Sequence, residues 1–401
     1  MGRPVLTAEK RGSQRIEFLD VLRGVALFGI LIVNVFSFGA DSAAWTAGYD
    51  QAAWLMKHML FETKFWVLYS LLFGMSFYLQ SQSTGYRLSH MLKRLLILLL
   101  LGCAHALFFE GDILMLYAEL GLALLCLYRL PTRALVSLGV LLCLSFPMGH
   151  LWGGDRGDDW PAESVDEAVL WLHEDRADSP LAVGSLMDVI RSHAEFIPER
   201  FWVDWQYPDS GFLVLACFLF GVAIMRAGWM PLSELSVRQT RVVSVALWLG
   251  GMVLMALERY WANAWGYGPF HRADAHPLWV LAADLNYLLA TFALAAAWFF
   301  AVLCWVKTDS WSRLRAHVAS AGKMSLTSYL TQTAVFTTVF YGYGLGAAYH
   351  WGPAQVVLLA VATYSVQLVL CHWWLQRFQR GPMEWLWRSL SRGELVRLKK
   401  A

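Results

Sequence analysis

Ten long apolar runs constrain this chain more than any other feature. They fall at 18–38, 58–80, 92–110, 113–130, 133–151, 211–230, 239–260, 277–305, 321–343 and 355–378, with charge clusters between them. A hydrocarbon core of about 30 Å is crossed by a helix of about 20 mostly apolar residues. In hydrocarbon the backbone must also satisfy its own hydrogen bonds, which a helix does within a single segment. The expected fold class is therefore an all-α polytopic membrane protein with about ten transmembrane helices. Only 15% of the residues are charged and 58% are hydrophobic, where a soluble domain carries about 25% charged residues. The net charge of +2 is too small to argue for a nucleic-acid partner, and none is expected. The 21 tryptophans suit a chain that meets membrane interfaces, where Trp collects.

Charge bias gives an orientation. With the N-terminus in the cytoplasm, 23 Lys and Arg residues fall in inside segments and eight in outside segments, Arg23 lying within the first span. That asymmetry predicts both termini on the cytoplasmic side. The expected organisation is an N-terminal five-helix membrane unit (1–151), an acidic extracytoplasmic loop (152–210), a C-terminal five-helix membrane unit (211–380) and a cytoplasmic tail (381–401). The loop holds 14 acidic and four basic residues. Its amphipathic stretches at Val165–Glu174 and Leu186–Trp205 predict partial helix. The tail, with Trp385, Leu386, Leu390 and Leu395 among basic residues, reads as an amphipathic helix on the inner membrane surface. No small-residue cleavage site follows the first run, so it is expected to be retained. The six cysteines sit in apolar runs without CxxC spacing, and neither a disulfide framework nor a metal site is expected. Two echoes, Leu72-Phe73-Gly74 and Leu219-Phe220-Gly221, read as chance or as a vestige of duplication.

Ionisable residues inside such runs are costly and face a bundle interior or a wet cavity. Asp20, Arg23 and Asn34 fall within about 60° of one another on a helix, forming one polar stripe. Asp20 and Arg23 equally fit an interfacial ion pair, and Asn34 a simple interhelical hydrogen bond. The densest cluster is Gly102-Cys103-Ala104-His105 followed by Glu110-Gly111-Asp112. The tight turn returns Asp112 towards His105, and Glu119 follows one heptad deeper. A histidine held by a carboxylate in a partly dry site suits proton transfer, and a packed structural histidine is the competing reading. Glu62 and Lys64 enter the second run from the same outer side, and Asp284 with Asn286 marks the eighth. The expectation is a hydrophilic pocket near the outer face with His105 inside it.

The chain resembles the bacterial YeiB-like membrane proteins over nearly its whole length. The resemblance rests on Arg15-Ile16-Glu17-Phe18-Leu19-Asp20-Val21-Leu22-Arg23-Gly24, continuing to Val33-Asn34, and on Ser70-Leu71-Leu72-Phe73-Gly74. The Gly102-to-Leu114 block, Gly322-Lys323-Met324-Ser325-Leu326-Thr327-Ser328-Tyr329-Leu330 and Gly381-Pro382-Met383-Glu384-Trp385 carry the rest. This resemblance implies a multi-pass protein of the bacterial inner membrane. The opening is similar, more distantly, to that of transmembrane acyltransferases, including the acyltransferase-three proteins and heparan-alpha-glucosaminide N-acetyltransferase. In acyltransferase-three proteins a histidine stands where this chain has Asn34, and asparagine cannot serve as a base.

The resemblance implies acyl transfer from a cytoplasmic thioester, with acyl-CoA as donor, to a small-molecule, lipid or glycan acceptor at the outer face. His105 is then the expected base, Asp112 or Glu110 its orienting carboxylate and Asn34 an oxyanion donor. Arg23 and Asp20 are expected at the donor side, and Glu62, Lys64, Glu119 and Asp284 along substrate-binding walls. A proton-coupled transporter or flippase is the alternative for the same residues. Membrane lipids are expected partners, and a homodimer is compatible with the sequence.

Overall fold

A computed structural model describes residues 8–38, 47–83, 87–149, 180–206, 211–228, 234–265, 277–308, 310–348 and 350–400. Among them the chain is helical, with one isolated bridge between Phe378 and Lys399. The helices are α1 (Ala8–Asn34), α2 (Gly48–Met56), α3 (Lys64–Ser81), α4 (Leu88–Ala106), α5 (Leu114–Leu127), α6 (Thr132–Gly149), α7 (Pro180–Val183) and α8 (Leu186–Gln206). They continue as α9 (Gly211–Ala227), α10 (Val237–Trp265), α11 (Pro277–Val306), α12 (Ser312–Lys323), α13 (Ser325–Phe340), α14 (Pro353–Arg377) and α15 (Pro382–Arg392). Five segments are long and apolar enough to cross a membrane: Glu17–Phe38, Leu88–Ala106, Val237–Trp261, Leu278–Val306 and Pro353–Arg377. Shorter apolar helices cover Leu114–Leu127, Thr132–Ser145 and Gly211–Ala227. The amphipathic stretch Val165–Glu174 lies outside the described residues, whereas that at Leu186–Trp205 lies in α8.

Helix α1 is the axle of the bundle. It packs against α3, α11, α12, α13 and α14, so helices from both sides of the long acidic loop surround it. Glycine lets α12 close on it: a Cβ at Gly322 would collide with the Asp20 carbonyl, and one at Gly24 with the Val318 carbonyl. The two Leu-Phe-Gly echoes turn out to be facing surfaces of one crossing. A Cβ at Gly74 would meet the Phe218 carbonyl and one at Gly221 the Leu71 carbonyl, so α3 and α9 approach backbone to backbone. Phe73 stacks on Phe218 with centroids 4.4 Å apart.

The ninth apolar run, read as one span at 321–343, is broken. Helix α12 stops at Lys323, Met324 takes φ −110° and ψ 31°, and α13 begins at Ser325. The break leaves the first N–H groups of α13 without helical partners. Glu384 supplies one: its Oε1 accepts from Leu326 N at 2.7 Å and Thr327 N at 3.0 Å, and its Oε2 from the Thr327 hydroxyl at 2.6 Å. The second run is interrupted as well. A π-helical turn over Lys57–Phe61 precedes α3, and Thr63 between them holds φ 63°.

The tail forms the expected helix, but α15 docks onto α4 and α13. Trp387 Nε1 donates to the Arg94 carbonyl at 2.9 Å, and the Arg94 guanidinium lies 4.2 Å from the centroid of that ring.

Candidate active site

The turn after α4 creates the densest polar cluster. Helix α4 ends at Ala106, and Gly111 tucks beneath the ring of Phe109, where a Cβ would clash. That compact reversal carries Asp112 back to His105. The Asp112 carboxylate is fully buried and uses both oxygens: Oδ2 accepts from Met115 N at 2.8 Å, tying it to the start of α5, and Oδ1 lies 2.6 Å from His105 Nδ1. When the carboxylate is ionised it only accepts, Nδ1 carries the proton, and in the neutral ring Nε2 is the acceptor. Nε2 lies 2.8 Å from Thr333 Oγ1 on α13. Carboxylate, imidazole and hydroxyl therefore stand in line, the order that lets a base accept a proton while its conjugate acid is stabilised from behind. Phe109 and Tyr329 pack their rings around the imidazole, with centroids 6.1 and 5.0 Å away.

Helix α8 clamps this turn from outside. Arg200 donates to the carbonyl of Asp112 at 2.6 Å and to that of Glu110. His193 Nδ1 lies 3.2 Å from the Leu107 carbonyl. Glu110 itself is exposed at the turn and meets Arg200 through its backbone. Asn34 is half-buried where α1 passes into the 3₁₀ turn Val35–Phe38, and the hydrogen bonds of His105 go to Asp112 and Thr333.

A cavity lies next to this cluster. It encloses about 290 Å³, with Arg23, Arg94 and Lys323 at the end away from His105. Its walls are mostly apolar, with Leu27, Ile30, Leu72 and Leu98, and it ends at Tyr117, Ile113 and Tyr329. His105 is not on its wall. The Tyr329 ring stands between, its centroid 5.0 Å from that of the imidazole and its hydroxyl accepting from Ile113 N at 3.4 Å. At the mouth, Arg23 reaches Asp20 Oδ1 at 3.1 Å, Ser76 Oγ at 3.1 Å and the Gly322 carbonyl at 3.5 Å. Lys323 Nζ lies 3.7 Å from the other Asp20 oxygen.

Glu62 and Lys64 belong to a second polar cluster. His58 bridges Glu62 Oε2 at 2.9 Å and Glu258 Oε2 at 3.5 Å. Lys57 Nζ lies 3.5 Å from Glu62 Oε1, and Lys64 Nζ donates to the His58 carbonyl at 2.9 Å. The 3₁₀ turn after α1 divides the two clusters, Phe36 facing Lys57 and Phe38 stacking on Phe109 at 4.7 Å. Asp284 is buried on α11, Glu119 on α5, and Asn286 donates to the Leu254 carbonyl at 2.9 Å, joining α11 to α10. Thr333, Arg200, His58 and Glu258 were not singled out by sequence reasoning. Thr333 offered a signal, since it stands one helical turn past Tyr329 in a run already rich in hydroxyls. Among the described residues no group of three or more His, Cys, Asp or Glu side chains is placed to hold a metal ion.

Fold and site together define a helical membrane protein with a buried carboxylate–imidazole–hydroxyl line above an apolar cavity. Residues 224–394 match the family described as "Protein of unknown function (DUF418)". The chain is 30% identical over 412 residues to the uncharacterized protein YxaH of Bacillus subtilis (strain 168), covering 94% of each chain. It is 29% identical over 407 residues to the uncharacterized protein YeiB of Escherichia coli (strain K12), covering 93% of this chain and 95% of the relative. The chain belongs to the YeiB-like family. No solved structure matches it.

Proposed function

We propose that this protein is an acyltransferase of the bacterial inner membrane, crossing it about ten times with both termini in the cytoplasm. It takes an acyl group from acyl-CoA and passes it to a hydroxyl or amine of a small-molecule, lipid or glycan acceptor at the outer face. The observation that carries this reading is His105 held by Asp112 at 2.6 Å with its other nitrogen against a hydroxyl, directly behind the end wall of the cavity. The cavity suits the donor: cations at Arg23, Arg94 and Lys323 attract phosphates, and the apolar depth accepts the acyl group. Thr333 Oγ1 marks where the acceptor oxygen would sit. His105 Nε2 takes the acceptor's proton as its oxygen attacks the thioester carbonyl. The carbon–sulfur bond breaks, and the imidazolium returns that proton to the leaving thiolate. Asp112 stabilises the imidazolium between the two transfers.

Purified protein in lipid nanodiscs with labelled acyl-CoA and membrane extract tests the reading. Transfer to an extracted acceptor is expected, reduced about 10²–10⁴-fold in His105→Ala, the range for losing a general base. Undiminished transfer in His105→Ala contradicts the assignment. The His58–Glu62–Glu258 bridge favours one second reading, a proton-coupled transporter or flippase, because buried imidazole–carboxylate chains relay protons. Proton-coupled uptake into proteoliposomes that is lost in His58→Ala would favour it over the enzyme.

A further inference from the structure

Helices α13 and α14 leave a groove of about 610 Å³ on the face away from His105, lined by Val335, Val366 and Leu370 and ending at Trp373, Trp374 and Pro382. Several of its polar residues are engaged already: Gln367 Nε2 donates to the Ser328 carbonyl at 2.9 Å and to Thr331 Oγ1 at 2.8 Å, and the Thr327 hydroxyl to Glu384. What the groove offers is therefore an apolar trough. Along α14 it runs from Ala362 to Trp373, about 17 Å at 1.5 Å per residue. That is close to one leaflet of a hydrocarbon core about 30 Å thick.

The tryptophan end is strongly basic. Arg377 lies over the Trp373 ring, 4.4 Å from its centroid, and Trp374 Nε1 donates to the Arg380 carbonyl at 2.8 Å. The last residues fold back onto this point. Gln379 N donates to the Leu398 carbonyl at 2.9 Å and Lys400 N to the Arg377 carbonyl at 3.2 Å. Exposed Arg397, Lys399 and Lys400 are thereby gathered beside Arg377 and Arg380. Of the two acidic residues in this tail, Glu384 is turned onto α13, which leaves Glu394.

We infer that this groove is a binding site for an anionic phospholipid, its chain in the trough and its phosphate against Arg377 and Arg380. A one-leaflet apolar slot, tryptophans at its interfacial end and a cluster of cations there match the three parts of such a lipid in order. Nothing in this site depends on acyl transfer.

Native mass spectrometry of the full chain from nanodiscs of equal phosphatidylglycerol and phosphatidylcholine tests the inference. The wild-type protein is expected to retain phosphatidylglycerol preferentially. The preference should fall roughly fivefold for each arginine removed in Arg377→Gln and Arg380→Gln, as expected for a cation near an anionic surface. Val366→Trp, which fills the trough, should lose both lipids. Equal retention of the two lipids by the wild type overturns the proposal, as does undiminished phosphatidylglycerol retention in all three variants. A lipid-free dimer that disappears in Val366→Trp would assign the groove to a second copy of the chain and overturn it as well.

Discussion

Tyr329 stands between His105 and the cavity. Its ring packs 5.0 Å from the imidazole and also lines the cavity, so under the proposed acyl transfer a donor in the cavity would reach Nε2 only when that ring turns aside. Tyr329→Ala is expected to open the cavity onto His105, raising the hydrolysis of acyl-CoA to free acid by at least about tenfold, since a water then meets base and thioester together. Tyr329→Trp should suppress transfer without changing the binding of CoA at the mouth. Both are read by thin-layer separation of labelled products, and equal hydrolysis in wild type and Tyr329→Ala would remove the gating role. At this scale the sequence was partly legible. His105 and Asp112 are seven residues apart across one tight turn at Gly111, and that local reversal brings them near. Thr333 and Arg200 come from helices far along the chain, and no local spacing reports which face of a distant helix arrives. Nor does spacing report burial: Thr333 of α13 and two aromatic rings pack around the His105 imidazole, and the 290 Å³ cavity lies along the other end of α4.

Two elements hold the site in register, and both make measurable claims. Helix α8 rests His193 on the Leu107 carbonyl in a buried position. Burial holds the imidazole below its usual 6.5, with the Leu107 carbonyl and the Glu110 charge opposing. The folded state thus prefers the neutral ring. Its contribution is fully present above the unfolded value of about 6.5 and is lost as pH falls through the lower folded value. Hydrogen-exchange protection over residues 186–201, corrected for the base-catalysed intrinsic rate at each pH, should accordingly be weaker at about pH 5 than at about pH 8, and His193→Phe should flatten that difference. Protection factors in wild type that are the same at both pH values would sink the clamp. Glu384 has the parallel role at the α12–α13 break. Glu384→Ala removes a side-chain cap worth about 1 kcal/mol, so tryptic cleavage at Arg388 and Arg392 should quicken roughly fivefold. The tail helix was legible from its amphipathic pattern. Its docking was not, because nothing in the tail's own pattern tells that Trp387 meets Arg94 and Glu384 the broken run 321–343.

Across the whole molecule, the apolar runs announced a helical bundle because hydrocarbon leaves the backbone few options. They did not announce the order of packing. That depends on glycines, and the Leu-Phe-Gly echoes that looked accidental mark where α3 and α9 cross. Helix α1 links the scales. It carries Arg23 at the cavity mouth, lines the wall through Leu27 and Ile30, and ends in the turn whose Phe38 packs on Phe109 beside His105. The central claim is that turning the Tyr329 ring aside joins the basic mouth to the imidazole. An electron cryomicroscopy map of the nanodisc-embedded protein with a non-hydrolysable thioether analogue of acyl-CoA tests it most directly. The account predicts phosphate density at Arg23, Arg94 and Lys323, the Tyr329 ring displaced, and the acyl carbonyl carbon so placed that an acceptor oxygen bonded to His105 Nε2 lies within about 3.5 Å of it. An analogue bound elsewhere, or seated in the cavity with its carbonyl at the mouth and Tyr329 unmoved, would contradict it.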